Sequence, residues 1–226
     1  GHTARDVVEA VARLQQRGMT VGVQLLPGLK GETWESILET AIAVVKIKPD
    51  FVRIYPVLVI ENTELADQYR AGEYEPLSTE QAITYCAFLK DWFERHNIEV
   101  IRTGLQSTEE LDSGNSLVAG PYEPAMGELV VNEQYKQRIE RCINEHIESF
   151  IDKELSQWNI WGQVNTYIAL NISIFYPRSL TSKVRGLKNR NMLYFQEKYP
   201  HININWYEDS TRNTVRCCID GLQYVL

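Results

Sequence analysis

No two cysteines in this 226-residue chain stand at CxxC spacing, and only four occur: Cys86, Cys142, Cys217 and Cys218. Zinc or cluster ligation from that set is therefore disfavoured, and free thiols in a reducing compartment are expected. Cys217 and Cys218 are vicinal within a β-forming run, so their side chains should point to opposite faces of a strand. The four histidines, His2, His96, His146 and His201, also lack metal-ligand spacing and read as solvated or capping residues. No apolar run approaches the roughly 18 residues of a membrane span, and the opening residues carry no signal-peptide pattern. No membrane partner and a cytoplasmic location are expected. Positive charge is not in excess. The formal net charge of -7 argues against indiscriminate binding to nucleic acid or anionic lipid, while leaving room for a local basic patch. Internal repeats and low-complexity segments are missing too.

What is present is a regular alternation of helix-period and strand-period runs. Thr3 can cap a helix carrying Val7, Val8, Val11 and Leu14, which Gly18 ends. Val21 to Leu26 reads as a strand. Thr33 caps a helix with Ile37, Leu38, Ala41, Ile42 and Val45 on one stripe, and Pro49-Asp50 stops it before a second strand, Phe51 to Tyr55. Short connections of this kind make the two strands parallel neighbours. A short helix is predicted around Thr63 to Arg70 and a longer one over Gln81 to Arg95, begun by Ser78 or Thr79. Ile98 to Arg102 is a third strand. Chemistry in such units collects at the carboxyl ends of the strands. From Thr108 to Val130 the chain reads as polar, Pro/Gly-punctuated loop, followed by a helix over Glu133 to Leu155.

The wording of these runs is specific. "GHTARDVVEAVARLQQRGMTVGVQLLPGLKGET" followed by "KPDFVRIYPVLVIENTELADQYRAGEYEPLS" resembles the radical S-adenosylmethionine (SAM) proteins related to the elongator catalytic subunit. "VIRTGLQST" and "AGPYEPAMGELV" extend the resemblance over roughly residues 1–130 and look like the shorter bacterial branch of that family. The resemblance implies a partial (β/α) barrel over a [4Fe–4S] cluster that reduces SAM to a 5′-deoxyadenosyl radical. The Cys-rich loop that would hold the cluster has no counterpart in this sequence. By the family pattern the chain starts after roughly the fourth strand. The expectation is a C-terminal fragment lacking the N-terminal half of the barrel, inactive alone, with SAM and cluster belonging to the full-length protein. No glycine-rich acetyl-CoA loop is found, which sets acetyl-CoA chemistry aside.

The last third runs β-α-α-β-β: a strand over Thr166 to Phe175, a short helix Ser179 to Val184, a second helix to about Lys198, and strands Ile202 to Tyr207 and Thr214 to Ile219. This order is similar to a KH-like RNA-binding module, with Gly186-Leu-Lys-Asn189 where that fold carries its GxxG loop. Asn189 replaces the second glycine and tolerates left-handed geometry better than other residues do. Between Arg178 and Lys198 six basic residues face one acid, Glu197. Lys183, Arg185, Gly186, Lys188, Asn189 and Arg190 are the candidate RNA-binding residues, the alternative being a solvated helix pair.

In the first part, Gln24 shares a face with Leu26 and is a candidate SAM or substrate contact, or else a structural hydrogen-bonding residue. The glycines of Pro27-Gly-Leu-Lys-Gly31 either bring backbone amides to a ligand or simply feed the Thr33 cap. Arg53 and Tyr55 share one strand face. The resemblance places this strand end near an adenine, which makes Tyr55 with Ile54 candidates for the cofactor site, against a core role for the aromatic. Arg102, with Gln106, is a candidate for an anionic substrate or the SAM carboxylate, or for a surface ion pair. Glu32 and Glu35 flank a helix start and are given no acid–base role.

The expected fold class is α/β: the C-terminal portion of a partial radical SAM barrel (1–118), a loop and linker helix (119–156), and a small α+β KH-like domain (157–226). The expected function is that of the C-terminal part of a radical SAM enzyme acting on RNA, with tRNA the substrate class. The alternative is an RNA-binding or assembly module that uses the barrel portion as a scaffold. An uncovered strand edge and an uncovered, apolar inner face also lead to the expectation of a homodimer.

Overall fold

The computed structural model describes residues 2–106, 108–112, 114, 116–158 and 170–226. They divide into two compact units, 1–130 and 131–226. The division falls within a long helix, Met126–Trp158, ahead of where the sequence predicts that helix to begin.

The first unit begins with α1 (Ala4–Gln15), β1 (Gly22–Leu25), α2 (Trp34–Ile47) and β2 (Phe51–Ile54). Then come β3 (Val59–Ile60), α3 (Glu64–Arg70), α4 (Thr79–Arg95), β4 (Glu99–Thr103), α5 (Glu109–Asp112) and β5 (Leu117–Ala119). Helix starts fall where the capping residues put them. Thr3, Thr33 and Ser78 each accept from the backbone N–H three residues on, and Asp6, Ser36 and Gln81 return the bond to the cap N–H. β1, β2 and β4 form a parallel sheet in the order β1-β2-β4, as the short connections predict. Alternation along the strands decides what is buried: Leu25, Val52 and Ile54 pack with Ile37, Ala41 and Val44 of α2 and Ala82, Cys86, Leu89 and Phe93 of α4.

Two strands of this unit were not foreseen, nor was the short helix α5. Val59–Ile60 and Leu117–Ala119 pair antiparallel and pack over Tyr74 and Ala66 in a small second cluster. Both lie inside segments that Pro and Gly made look like loop. The next helix, α6 (Met126–Trp158), starts seven residues earlier than predicted. Pro124 precedes it, where a missing N–H costs nothing. Gly127 is tolerated inside it because Met126 and Val130 enter the core beside it.

The second unit takes α6 from Val131 onward, then β6 (Asn171–Tyr176), α7 (Thr181–Arg185), α8 (Arg190–Lys198), β7 (Asn203–Glu208), β8 (Arg216–Ile219) and β9 (Leu222–Val225). The first part of the strand predicted from Thr166 lies outside the described residues. β9 was not predicted; Asp220-Gly221, both at positive φ, turn β8 back into it. The sheet order is β7-β6-β8-β9, with β6 parallel to β7 and antiparallel to β8. One face carries Ile172, Ile174, Tyr176, Cys217 and Ile219 against Ile139, Cys142 and Ile143 of α6, Val184 of α7 and Phe195 of α8. Cys217 is buried and its neighbour Cys218 half-buried, as opposite-facing positions require. Among the described residues no helix is long and apolar enough to cross a membrane.

Candidate functional site

Among the described residues, the helix-free face of the first sheet holds three of the four cofactor-site candidates, Gln24, Tyr55 and Arg102. Strand register sets Gln24 opposite Arg53, and Arg53 opposite Arg102, giving one polar row across three parallel strands. A register shift between Val52 and Arg53 lets Arg102, rather than Ile101, complete the row. All three side chains are exposed, and Tyr55 follows on the same face as Arg53, just past the end of β2. Arg102 donates to Gln106 Oε1 at 2.9 Å, and Arg53 lies 5.8 Å from the centroid of the Phe51 ring. Neither guanidinium has a carboxylate within 4.0 Å among the described residues. Like charges directly opposed on neighbouring strands are unfavourable, so the arrangement suits an anion placed between them. This face was expected to be apolar. It is mixed, because odd-numbered positions of β2 carry Arg53 and Tyr55 beside Phe51.

Ile54 does not join this row. Its side chain is fully buried among the helices, and its carbonyl accepts from Gly104 N at 2.9 Å. Strand alternation puts its side chain on the face opposite Tyr55, which leaves only its backbone at the strand end beside the row. Arg53 was noted in sequence only as Tyr55's face-mate; its register with Gln24 and Arg102 makes it the middle of the row.

The Pro27–Gly31 loop is occupied with itself. Gly28 N–H donates to the Glu32 carboxylate at 2.5 Å, and Gly28 O accepts from Tyr74 Oη at 2.6 Å. With φ 101° and Leu77 3.1 Å from where a Cβ would sit, this position requires glycine. Burial holds the Glu32 carboxyl above its ordinary range, with the Gly28 N–H opposing the shift. Lys30 pairs with Glu73 at 3.3 Å across the same loop.

Residues 49–137 match the Radical_SAM C-terminal domain. A tRNA uridine(34) acetyltransferase from Methanocaldococcus jannaschii is 32% identical over 147 residues, 63% of this chain and 26% of that protein. One from Methanocaldococcus infernus is 30% identical over 147 residues, with the same coverage. Among solved structures, the archaeal Methanocaldococcus infernus Elp3 with an N-terminal deletion superposes with TM-score 0.51 at 30% identity, over 61% of this chain and 32% of that one. The chain spans about a quarter of the length of these curated relatives.

The row that includes Arg53 of β2 and Arg102 of β4, both inside the matched stretch, has guanidinium donors of the kind a carboxylate takes. The thiols do not suit a [4Fe–4S] cluster. Cys86 is buried between α4 and the sheet, where burial pushes its thiol up to about 12, and Cys142 and Cys217 are hydrogen-bonded to each other inside the second unit. Among the described residues no three His, Cys, Asp or Glu side chains group as a metal site.

In the second unit, Gly186 to Asn189 connect α7 to α8. Gly186, Lys188 and Asn189 all take positive φ, 75°, 53° and 60°. Asn189 thus adopts the left-handed turn expected of it. Lys183, Lys188, Asn189 and Arg190 are exposed, whereas Gly186 is buried. Arg185 turns inward, with Nε donating to Tyr176 Oη and its guanidinium 5.5 Å from the Tyr176 ring. The loop is anchored by two residues that sequence reasoning missed. Leu187 N donates to Asn132 Oδ1 at 2.8 Å, and Asn191 Nδ2 donates to Asn132 O at 2.8 Å and Val184 O at 3.1 Å.

Proposed function

We propose that this chain is the C-terminal part of a radical SAM enzyme that modifies RNA, with tRNA as the substrate class. The observation that carries the reading is the Gln24–Arg53–Arg102 row with Tyr55, on the helix-free face of parallel strands, two of which lie within the matched radical SAM domain. In this reading the face is the inner wall of a partial (β/α) barrel. Arg53 and Arg102 hold the carboxylate of SAM, Gln24 donates beside them, and Tyr55 borders the adenine. Bound SAM would supply the 5′-deoxyadenosyl radical, and its cluster would be held by residues of the longer protein. The acetyl transfer in the relatives' names stays with those proteins.

Exposed Lys183, Lys188 and Arg190 around a left-handed loop support a second role, contact of a KH-like module with RNA phosphates. The 226-residue chain alone is expected to bind neither cluster nor SAM with useful affinity. The test uses full-length protein with its cluster reconstituted anaerobically. Reductive cleavage of SAM to 5′-deoxyadenosine is expected, and Arg53→Ala with Arg102→Ala should weaken SAM binding at least tenfold, about the 1.5–3 kcal/mol of a charge-assisted pair. Absence of any cleavage would overturn the enzyme reading. RNA affinity unchanged by Lys183→Glu with Lys188→Glu would overturn the loop reading.

A further inference from the structure

Among the described residues, the second unit leaves one face of its sheet without helices, and that face is not built like a solvated surface. Register places Tyr207 of β7, Phe175 of β6 and Arg216 of β8 side by side across three strands. The two rings stack at 5.2 Å between centroids with an interplanar angle of 22°, and Tyr207 is 46% exposed at an edge strand. Arg212, paired with Asp209, holds its guanidinium 5.8 Å from the other aromatic, Phe175. Arg216 donates to Gln223 Oε1 at 3.4 Å, while its buried Nε has no hydrogen-bond partner among the described residues.

The next row down the sheet is polar: Asn205 opposite Ser173, and Ser173 opposite Cys218. Short amides and hydroxyls offer donors and acceptors in a plane. Residues 170–226 contain eight Lys or Arg and four Asp or Glu, a positive balance inside a chain of net charge -7. A protein partner would call for an aliphatic centre, and the aliphatic side chain on this face, Val225, stands at its far edge opposite Arg216.

We propose that this helix-free face binds single-stranded RNA, with bases stacking on Tyr207 and Phe175 and the Arg216 guanidinium directed to the backbone. Aromatic platforms flanked by arginine on a sheet suit unstacked bases, whose π-faces and edges both become available. The surface is separate from the Gly186–Asn189 loop, which joins helices on the opposite side of the sheet. The choice of RNA over DNA rests on the proposed function. The assignment of the face does not.

The test uses the 226-residue chain and a fluorescein-labelled 12-nucleotide oligoadenylate RNA, read by fluorescence anisotropy at several salt concentrations. Tyr207→Leu should weaken binding about tenfold or more, the scale of losing one base–aromatic stack, with little change in salt slope. Arg216→Gln should weaken binding and reduce the slope by about one. Tyr207→Trp should restore binding and add fluorescence quenching at the new indole. Tyr207 is exposed enough for its variants to fold, which unchanged circular dichroism would verify. Wild-type affinity in Tyr207→Leu would overturn the proposal, as would tighter binding of the matching DNA. Loss of self-association without loss of RNA binding would do so too, and would assign the face to a second copy. Tyr207-dependent binding that survives Lys183→Glu with Lys188→Glu refutes the loop reading alone. Failure of SAM cleavage in the full-length protein leaves the sheet result standing.

Discussion

Replacing Asn191 with alanine should unfold the second unit's loop before anything else, and the size of the effect can be worked out from four atoms. The Asn191 side chain is 4% exposed at the second residue of α8. Its amide nitrogen serves two carbonyls at once: Asn132 O in α6, and Val184 O, which α7 ends too soon to satisfy. Truncation leaves both acceptors buried without that donor, at about 1–3 kcal/mol each. Alanine's better helix propensity returns about 0.5 kcal/mol. A net loss of about 1.5–5.5 kcal/mol follows. In a unit of this size 1 kcal/mol is worth about 4–8 °C, so its calorimetric transition should fall by at least about 6 °C. The Leu187 amide, bonded to Asn132 Oδ1 at 2.8 Å, should lose hydrogen-exchange protection in parallel. Asn191→Asp keeps the shape but sets acceptor against acceptor, and should do more damage than alanine. A shift under about 3 °C for Asn191→Ala, or Asp milder than Ala, would refute the bonding scheme.

Thiol labelling tests the two cores together. Native protein should react rapidly at one cysteine, half-buried Cys218, and at all four only when unfolded, because Cys86, Cys142 and Cys217 are buried and burial raises the Cys86 thiol to about 12. Rapid labelling of two or more would contradict the packing. The Glu32 carboxyl, raised by burial, makes folding more favourable below the ordinary carboxylate value, and that contribution fades as pH climbs through the raised folded value. Glu32→Gln removes the titration, so its stability relative to wild type should rise as pH climbs above the ordinary carboxylate range. A pH-independent difference would count against the burial of Glu32.

Much of the fold follows from local chemistry alone. Thr3, Thr33 and Ser78 cap helices within a residue of where their hydroxyls predict, and the two apolar runs around Thr33 do become parallel neighbours. The failures share one cause. β3, β5, β9 and the first turn of α6 are stabilised by partners remote in sequence, and Pro or Gly nearby masks any local signal. Val59 finds Ala119 sixty residues on, and Met126 packs against the position of Gly104. No periodicity within a short window reports such contacts.

The site shows the same limit from another side. Gln24, Tyr55 and Arg102 were legible as single polar residues on strands, but what joins Gln24 and Arg102 to each other is the register of three strands, including a one-residue shift beside Arg53. Strand parity already separates the side chains of Ile54 and Tyr55, since adjacent strand residues face opposite ways. In the second unit, Phe175 and Tyr207 are 32 residues apart and look like ordinary strand aromatics until β6 and β7 pair in parallel. The loop's charges are local and readable, whereas the stacked pair exists only across the sheet. If RNA is held by stacking more than by charge, the residues that matter most are those whose neighbours are set by topology. Substituting Tyr207 while leaving every lysine in place separates the two terms.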